Sequence, residues 1–132
     1  MSEKKKHEPE YVLHILHTKH PETGADVTAF IVQTVREFVS FSYDIPLEST
    51  IVGQEIKINI GGLRVPENLV PGKGQARGIY YHRRLKGTYD VLVTNVDEAV
   101  NRFEVTFGPN TTEVKKASRK PFIVYSERQI QF

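Results

Sequence analysis

The feature that most constrains this chain is a two-residue alternation of apolar and polar side chains, repeated in short runs along its length. Val39, Phe41, Tyr43 and Ile45 alternate with Ser40, Ser42 and Asp44, and Ile56, Ile58 and Ile60 alternate with Lys57 and Asn59. Tyr89, Val91 and Val93 form a third run; Phe103, Val105 and Phe107 form a fourth. Successive side chains of an extended strand point to opposite faces, so such runs predict strands that bury one face. Residue usage agrees. Val, Ile, Thr, Tyr and Phe supply 48 of the 132 residues, whereas Ala, Leu and Met supply 13. β-branched and aromatic side chains fit a pleated, half-buried surface and lose rotamer freedom in a helix.

Turn signals separate the runs. Residues 1–10 alternate in charge with almost nothing apolar and read as a mobile N-terminal tail. Tyr11 to Thr18 reads as a strand, and Pro21-Glu22-Thr23-Gly24 as the turn that ends it. Residues 26–38 admit two readings. Val27, Phe30, Ile31, Val35 and Phe38 fit a helical period behind an Asp26 N-cap, while the Val, Ile and Thr content favours a strand. The strand reading, with a bulge near Phe30–Val32 where both faces are apolar, is the one adopted. A strand from Val39 ends at Pro46, residues 65–78 form a long Pro- and Gly-bearing loop, and 79–85 is extended. The runs at 89–93 and 103–107 pair as a hairpin, and residues 122–132 close the domain with one strand or two. The expected fold is all-β: a single antiparallel β-sandwich over 11–132, with a small barrel as the alternative and one possible helix near 26–38.

Several chemistries are excluded or unsupported. With no cysteine, there are no disulfides, thiolate zinc sites, iron–sulfur clusters or cysteine nucleophiles. The N-terminus has no apolar signal region, and runs such as Ala29–Val32 fall far short of the roughly 20 residues needed to span a bilayer. A soluble, cytoplasmic protein without membrane insertion is expected, and the Asn110-Thr111-Thr112 sequon is then chance. His14, His17 and His20 are three residues apart. On a strand His17 points away from the other two, so no metal site is expected. Gly72-Lys73-Gly74-Gln75-Ala76-Arg77-Gly78 superficially resembles a phosphate-binding glycine loop, but an extended segment follows it where that use demands a helix. Glu37, Asp44, Glu48 and Glu55 read as solvated faces, no catalytic residue is assigned and no cofactor is expected.

Charge is the informative asymmetry. Residues 1–66 carry a net −2 and residues 67–132 a net +4. Residues 68–89 contain no acid, yet hold Lys73, Arg77, Arg83, Arg84 and Lys86 with Tyr80, Tyr81 and His82 among them. Continuous alternation would put Tyr80, His82, Arg84 and Lys86 on one face, a basic surface with an aromatic platform suited to phosphates and stacked bases. Lys115, Lys116, Arg119 and Lys120 make a second basic cluster, expected on a loop. The sequence thus points to a non-catalytic binding or assembly module. Its anionic partner, for example single-stranded nucleic acid, contacts Lys73, Arg77, Tyr80, His82, Arg83, Arg84 and Lys86. The alternatives are a structural subunit that self-assembles through strand edges and an enzyme whose site is not visible in sequence.

Overall fold

The computed structural model describes residues 10–38, 43–63, 74–109, 112–116 and 121–126; Lys73, Arg119, Lys120 and the tail 1–9 lie outside them. Nine strands occur among these residues, and no helix. They are β1 (Tyr11–Lys19), β2 (Asp26–Phe38), β3 (Leu47–Val52), β4 (Glu55–Ile60), β5 (Gly74–Arg83), β6 (Gly87–Thr94), β7 (Val100–Phe107), β8 (Thr112–Lys116) and β9 (Ile123–Tyr125). One sheet has the order β5-β2-β1-β9 and the other β3-β4-β6-β7-β8. The two face each other as a sandwich; neither closes on itself, so the barrel alternative is set aside. Among the described residues no helix is long and apolar enough to cross a membrane.

The inward faces carry the alternating residues. Leu13, Ile15, Phe30, Val32 and Ile123 of one sheet meet Ile56, Ile58, Val91, Val93, Phe103, Val105 and Phe107 of the other in one buried core. The 89–93 and 103–107 runs pair as expected, Tyr89 opposite Val105 and Val91 opposite Phe103. Residues 26–38 form a strand, not a helix. Phe30, Ile31 and Val32 are all fully buried without a bulge, because β2 is an interior strand whose two faces are both covered. The register shift lies farther along, between Gln33 and Glu37.

Three further expectations are corrected, and a fourth lies mostly outside the described residues. The sandwich is not purely antiparallel: β1 pairs with β9 and β4 with β6 in parallel. Both pairs result from connections that pass through the opposite sheet, since parallel neighbours require a crossover. Of the strand expected over 39–45, residues 39–42 lie outside the described set, and Asp44 makes only an isolated bridge to Arg77. Residues 74–78, read as loop, open strand β5, so no helix follows this part of the glycine run. Lys115 and Lys116 belong to strand β8, not to a loop.

The chain crosses between the sheets four times, and several backbone N–H groups near strand ends and the β2–β5 register shift take side-chain acceptors. These acceptors are buried side-chain oxygens, as an interior backbone donor requires. Thr34 Oγ1 accepts from Ala76 N at 2.9 Å beside the register shift. Thr28 Oγ1 accepts from Leu85 N at 3.0 Å where the chain leaves β5. Asn101 Oδ1 accepts from Phe122 N at 2.9 Å and Ile123 N at 3.1 Å, seating β9.

The passage from β2 to β3 runs across the outer edge of β5. Ile45 N donates to Arg77 O at 3.2 Å, and a Cβ at Gly78 would collide with the Ile45 carbonyl oxygen. Glycine is thus required by the close approach of two backbones. Gly78→Ala is expected to destabilise the fold by about 1–3 kcal/mol, the usual cost of overpacking a rigid interior. Urea unfolding measures this; an unchanged midpoint would show that the crossing gives way freely.

Candidate anion-binding site

The acid-free segment divides where β5 ends. Within the strand, Tyr80 lies opposite Phe30 and His82 opposite Thr28, so both point into the sandwich. His82 Nε2 and Ser49 Oγ are 2.8 Å apart, which ties β5 to β3 across the sandwich, and the imidazole stands edge-on to Phe30 at 5.5 Å. Arg77 is on the opposite, outward face, where its Nε and Nη2 donate to Gln33 Oε1 at 3.1 and 2.9 Å. Arg83 shares that outward face and is exposed, as are Arg84 and Lys86 beyond the strand end.

The single basic face expected from continuous alternation is therefore not formed. Once the ladder stops at Arg83, Thr28 captures the Leu85 amide and the Leu85 side chain turns into the core, only 2% exposed. Arg84 and Lys86 consequently flank a buried leucine at the end of the sandwich. Arg84 and Lys86 line one groove, Arg83 precedes them on the outward face at the end of β5, Arg77 lies farther back along the strand, and Tyr80 and His82 turn inward. The aromatic group accompanying Arg83 is instead Tyr81, whose ring packs 4.7 Å from His20. Lys115 stands apart on β8, an edge strand of the five-stranded sheet.

Arg84, Leu85, Lys86 and Gly87 form one wall of an open groove of about 710 Å³, and Phe107, Gly108 and Pro109 form the other. Gly87, at φ 94°, turns the chain from this wall into β6 in a conformation natural to glycine. An Arg84 Nη2 hydrogen bond to the Pro109 carbonyl holds the guanidinium at the rim. Arg83 and Lys86 make no ion pair with any described residue. The Asp26 carboxyl is held below its ordinary range chiefly by its hydrogen bond to Lys19, 2.7 Å away, and feels Arg84 only as a weaker influence.

His17 stands behind the groove. Its ring lies 5.7 Å from Phe107, and its Nδ1 is 3.0 Å from Thr28 Oγ1, the oxygen that also receives the Leu85 amide. The Thr28 hydroxyl can donate to Nδ1, leaving the ring proton on Nε2. Nε2 is buried without a well-formed hydrogen bond, with the Gly108 backbone as its electrostatic neighbour. Nothing local in the sequence linked His17 or residues 107–109 to the basic segment; only long-range strand pairing does so. His14 and His17 occupy opposite faces of β1, and the described residues contain no group of three or more His, Cys, Asp or Glu placed to hold a metal.

Burial, helped by Arg84, pushes the His17 pKa down from the ordinary 6.5; burial does the same to His82. Protons therefore bind the unfolded chain more tightly than the folded one at both rings. Their contribution to stability is complete above the unfolded value and is lost as pH falls below about 6.5. The melting temperature should drop between pH 7.5 and 5.5, and less steeply in His17→Asn/His82→Asn. Parallel slopes for variant and parent would remove these rings as the cause.

No family model matches this chain, and no curated protein or solved structure shows significant similarity to it.

Proposed function

We propose that this chain is a non-catalytic binding module that engages an anionic partner at the basic end of its sandwich, with single-stranded nucleic acid as the partner class. The carrying observation is that Arg83, Arg84 and Lys86, close together in sequence at the end of β5, are all exposed, with no ion pair to a described carboxylate. Cations that lack an internal countercharge are free to neutralise phosphates and release condensed counterions. Tyr81 and His20 add ring surface beside Arg83, and ring faces stack on bases of any sequence. Tyr80 and His82 enter this reading as supports of β5 rather than as contacts, and Arg77 as a residue held by Gln33.

Three phosphate contacts give an expected log–log salt slope of roughly −2 for a single strand. Fluorescence anisotropy with a labelled oligothymidine at two salt concentrations measures it. Arg83→Glu/Arg84→Glu should weaken binding to all sequences alike, because phosphate contacts carry no sequence information. Tyr81→Ala should cost about 1–3 kcal/mol if a base stacks on that ring, with Tyr80→Ala as the inward-facing comparison. Equal binding by parent and double variant would reduce the cluster to ordinary surface charge.

A further inference from the structure

We infer that the groove between residues 84–87 and 107–109, which shares Arg84 and Lys86 with the polyanion surface, is also a small-molecule site selective for an amphipathic monoanion: one carboxylate or phosphate head on an apolar body. The groove's volume of about 710 Å³ lies within the range of roughly 300–1,000 Å³ typical of small-ligand sites. Its lining among the described residues contains two cations and no carboxylate. The rest of the described lining is Pro109 and the Gly87 and Gly108 backbone, with Leu85 and Phe107 buried beneath them at 2% and 3% exposure.

The two properties select different parts of one ligand. Arg84, fixed at the rim by the Pro109 carbonyl, and Lys86, free of any described ion pair, set the sign of the head group. The floor sets the body. A polar body would lose water against Pro109 and the methylene stems of Arg84 and Lys86 without gaining hydrogen bonds, whereas a hydrocarbon loses nothing there. The floor is also rigid, because the Phe107 ring is held by Phe30, His17 and Tyr89 at 6.4, 5.7 and 5.8 Å. A preformed wall spares the ligand the cost of ordering its site. This inference goes beyond the polyanion reading, which shares Arg84 and Lys86 but has no need of the apolar lining.

The test is titration of the full chain with octanoate, octylammonium, inorganic phosphate and oligothymidine, read by calorimetry and by amide chemical shifts. Octanoate should bind one-to-one at concentrations up to about 10 mM, the weak end of specific affinity. The shifts should centre on residues 84–87 and 107–109. Octylammonium and phosphate should each bind at least about tenfold more weakly, since each lacks one of the two recognised parts. Arg84→Gln/Lys86→Gln should lose about tenfold for octanoate while keeping its circular dichroism spectrum. If the variant fails to fold, the comparison of octanoate with octylammonium on the parent protein still decides. Octanoate and octylammonium binding equally, octanoate shifts mapping elsewhere, or no octanoate binding would each overturn the inference. Oligothymidine binding without octanoate binding overturns only this site, octanoate binding alone removes only the polyanion reading, and failure of both removes both.

Discussion

The Phe107 ring is the contact on which both the fold and the groove depend. It ends β7, is 3% exposed, and meets Phe30 of the opposite sheet edge-on at 6.4 Å. It also meets Tyr89 of the neighbouring strand at 5.8 Å and His17 at 5.7 Å. An aromatic side chain buries about 150–250 Å², and edge-to-face partners add to that gain, so this one position contributes heavily to holding the sheets together. The chain leaves the sheet immediately after it, at Gly108 and Pro109, and those residues are a groove wall. Sheet packing and groove shape are for this reason one mechanical problem, and a core substitution at Phe107 would disturb both.

A second constraint comes from the connections. A hairpin-only sandwich keeps its backbone donors in ladders, whereas this chain crosses between sheets four times and strands some of them. Thr28 and Asn101 meet that demand from buried positions and Thr34 does the same at the β2–β5 register shift, which accounts for three of the four buried polar side chains among the described residues, His14 being the fourth. At Thr28 the solution has a consequence outside the core. By taking the Leu85 amide it turns Leu85 inward, and the two neighbours of Leu85, Arg84 and Lys86, are then exposed together. The basic end owes its form to a hydrogen bond that satisfies the backbone.

This also explains what could be read from the residues and what could not. Strands with one buried face, such as β4, β6 and β7, announce themselves by period-two alternation. β2 does not, because its Phe30, Ile31 and Val32 are buried on both faces and so look like a helix or a bulge. β3 was missed because Ser49 interrupts its inward positions between Leu47 and Ile51, and Ser49 is there to bond His82. β5 began earlier than expected because Gly78 is demanded by the Ile45 crossing rather than by a loop. The acid-free stretch was legible as composition. Its division was not, since counting alternate residues past Arg83 assumes a ladder that Thr28 brings to an end. His17 and residues 107–109 belong to β1 and the end of β7, and no local pattern joins them to residue 84.

The electrostatics of the basic end are local rather than global. A net charge of +2 spread over the whole surface steers distant anions weakly, and at physiological salt charges separated by more than about 8 Å are largely screened from each other. What distinguishes this end is the pairing pattern. Lys19 is matched by Asp26 at 2.7 Å and Arg102 by Asp90 at 2.9 Å, so those cations offer little to an outside anion. Arg83 and Lys86 have no such match among the described residues, and Arg84 is matched only by a carbonyl, which leaves its full charge in place. That charge also disfavours a second cation nearby: after burial, Arg84 is the second cause that lowers the His17 pKa. An anion arriving at Arg84 would relieve the same repulsion. Anion binding and His17 protonation must then favour each other, because linkage between two binding events is reciprocal.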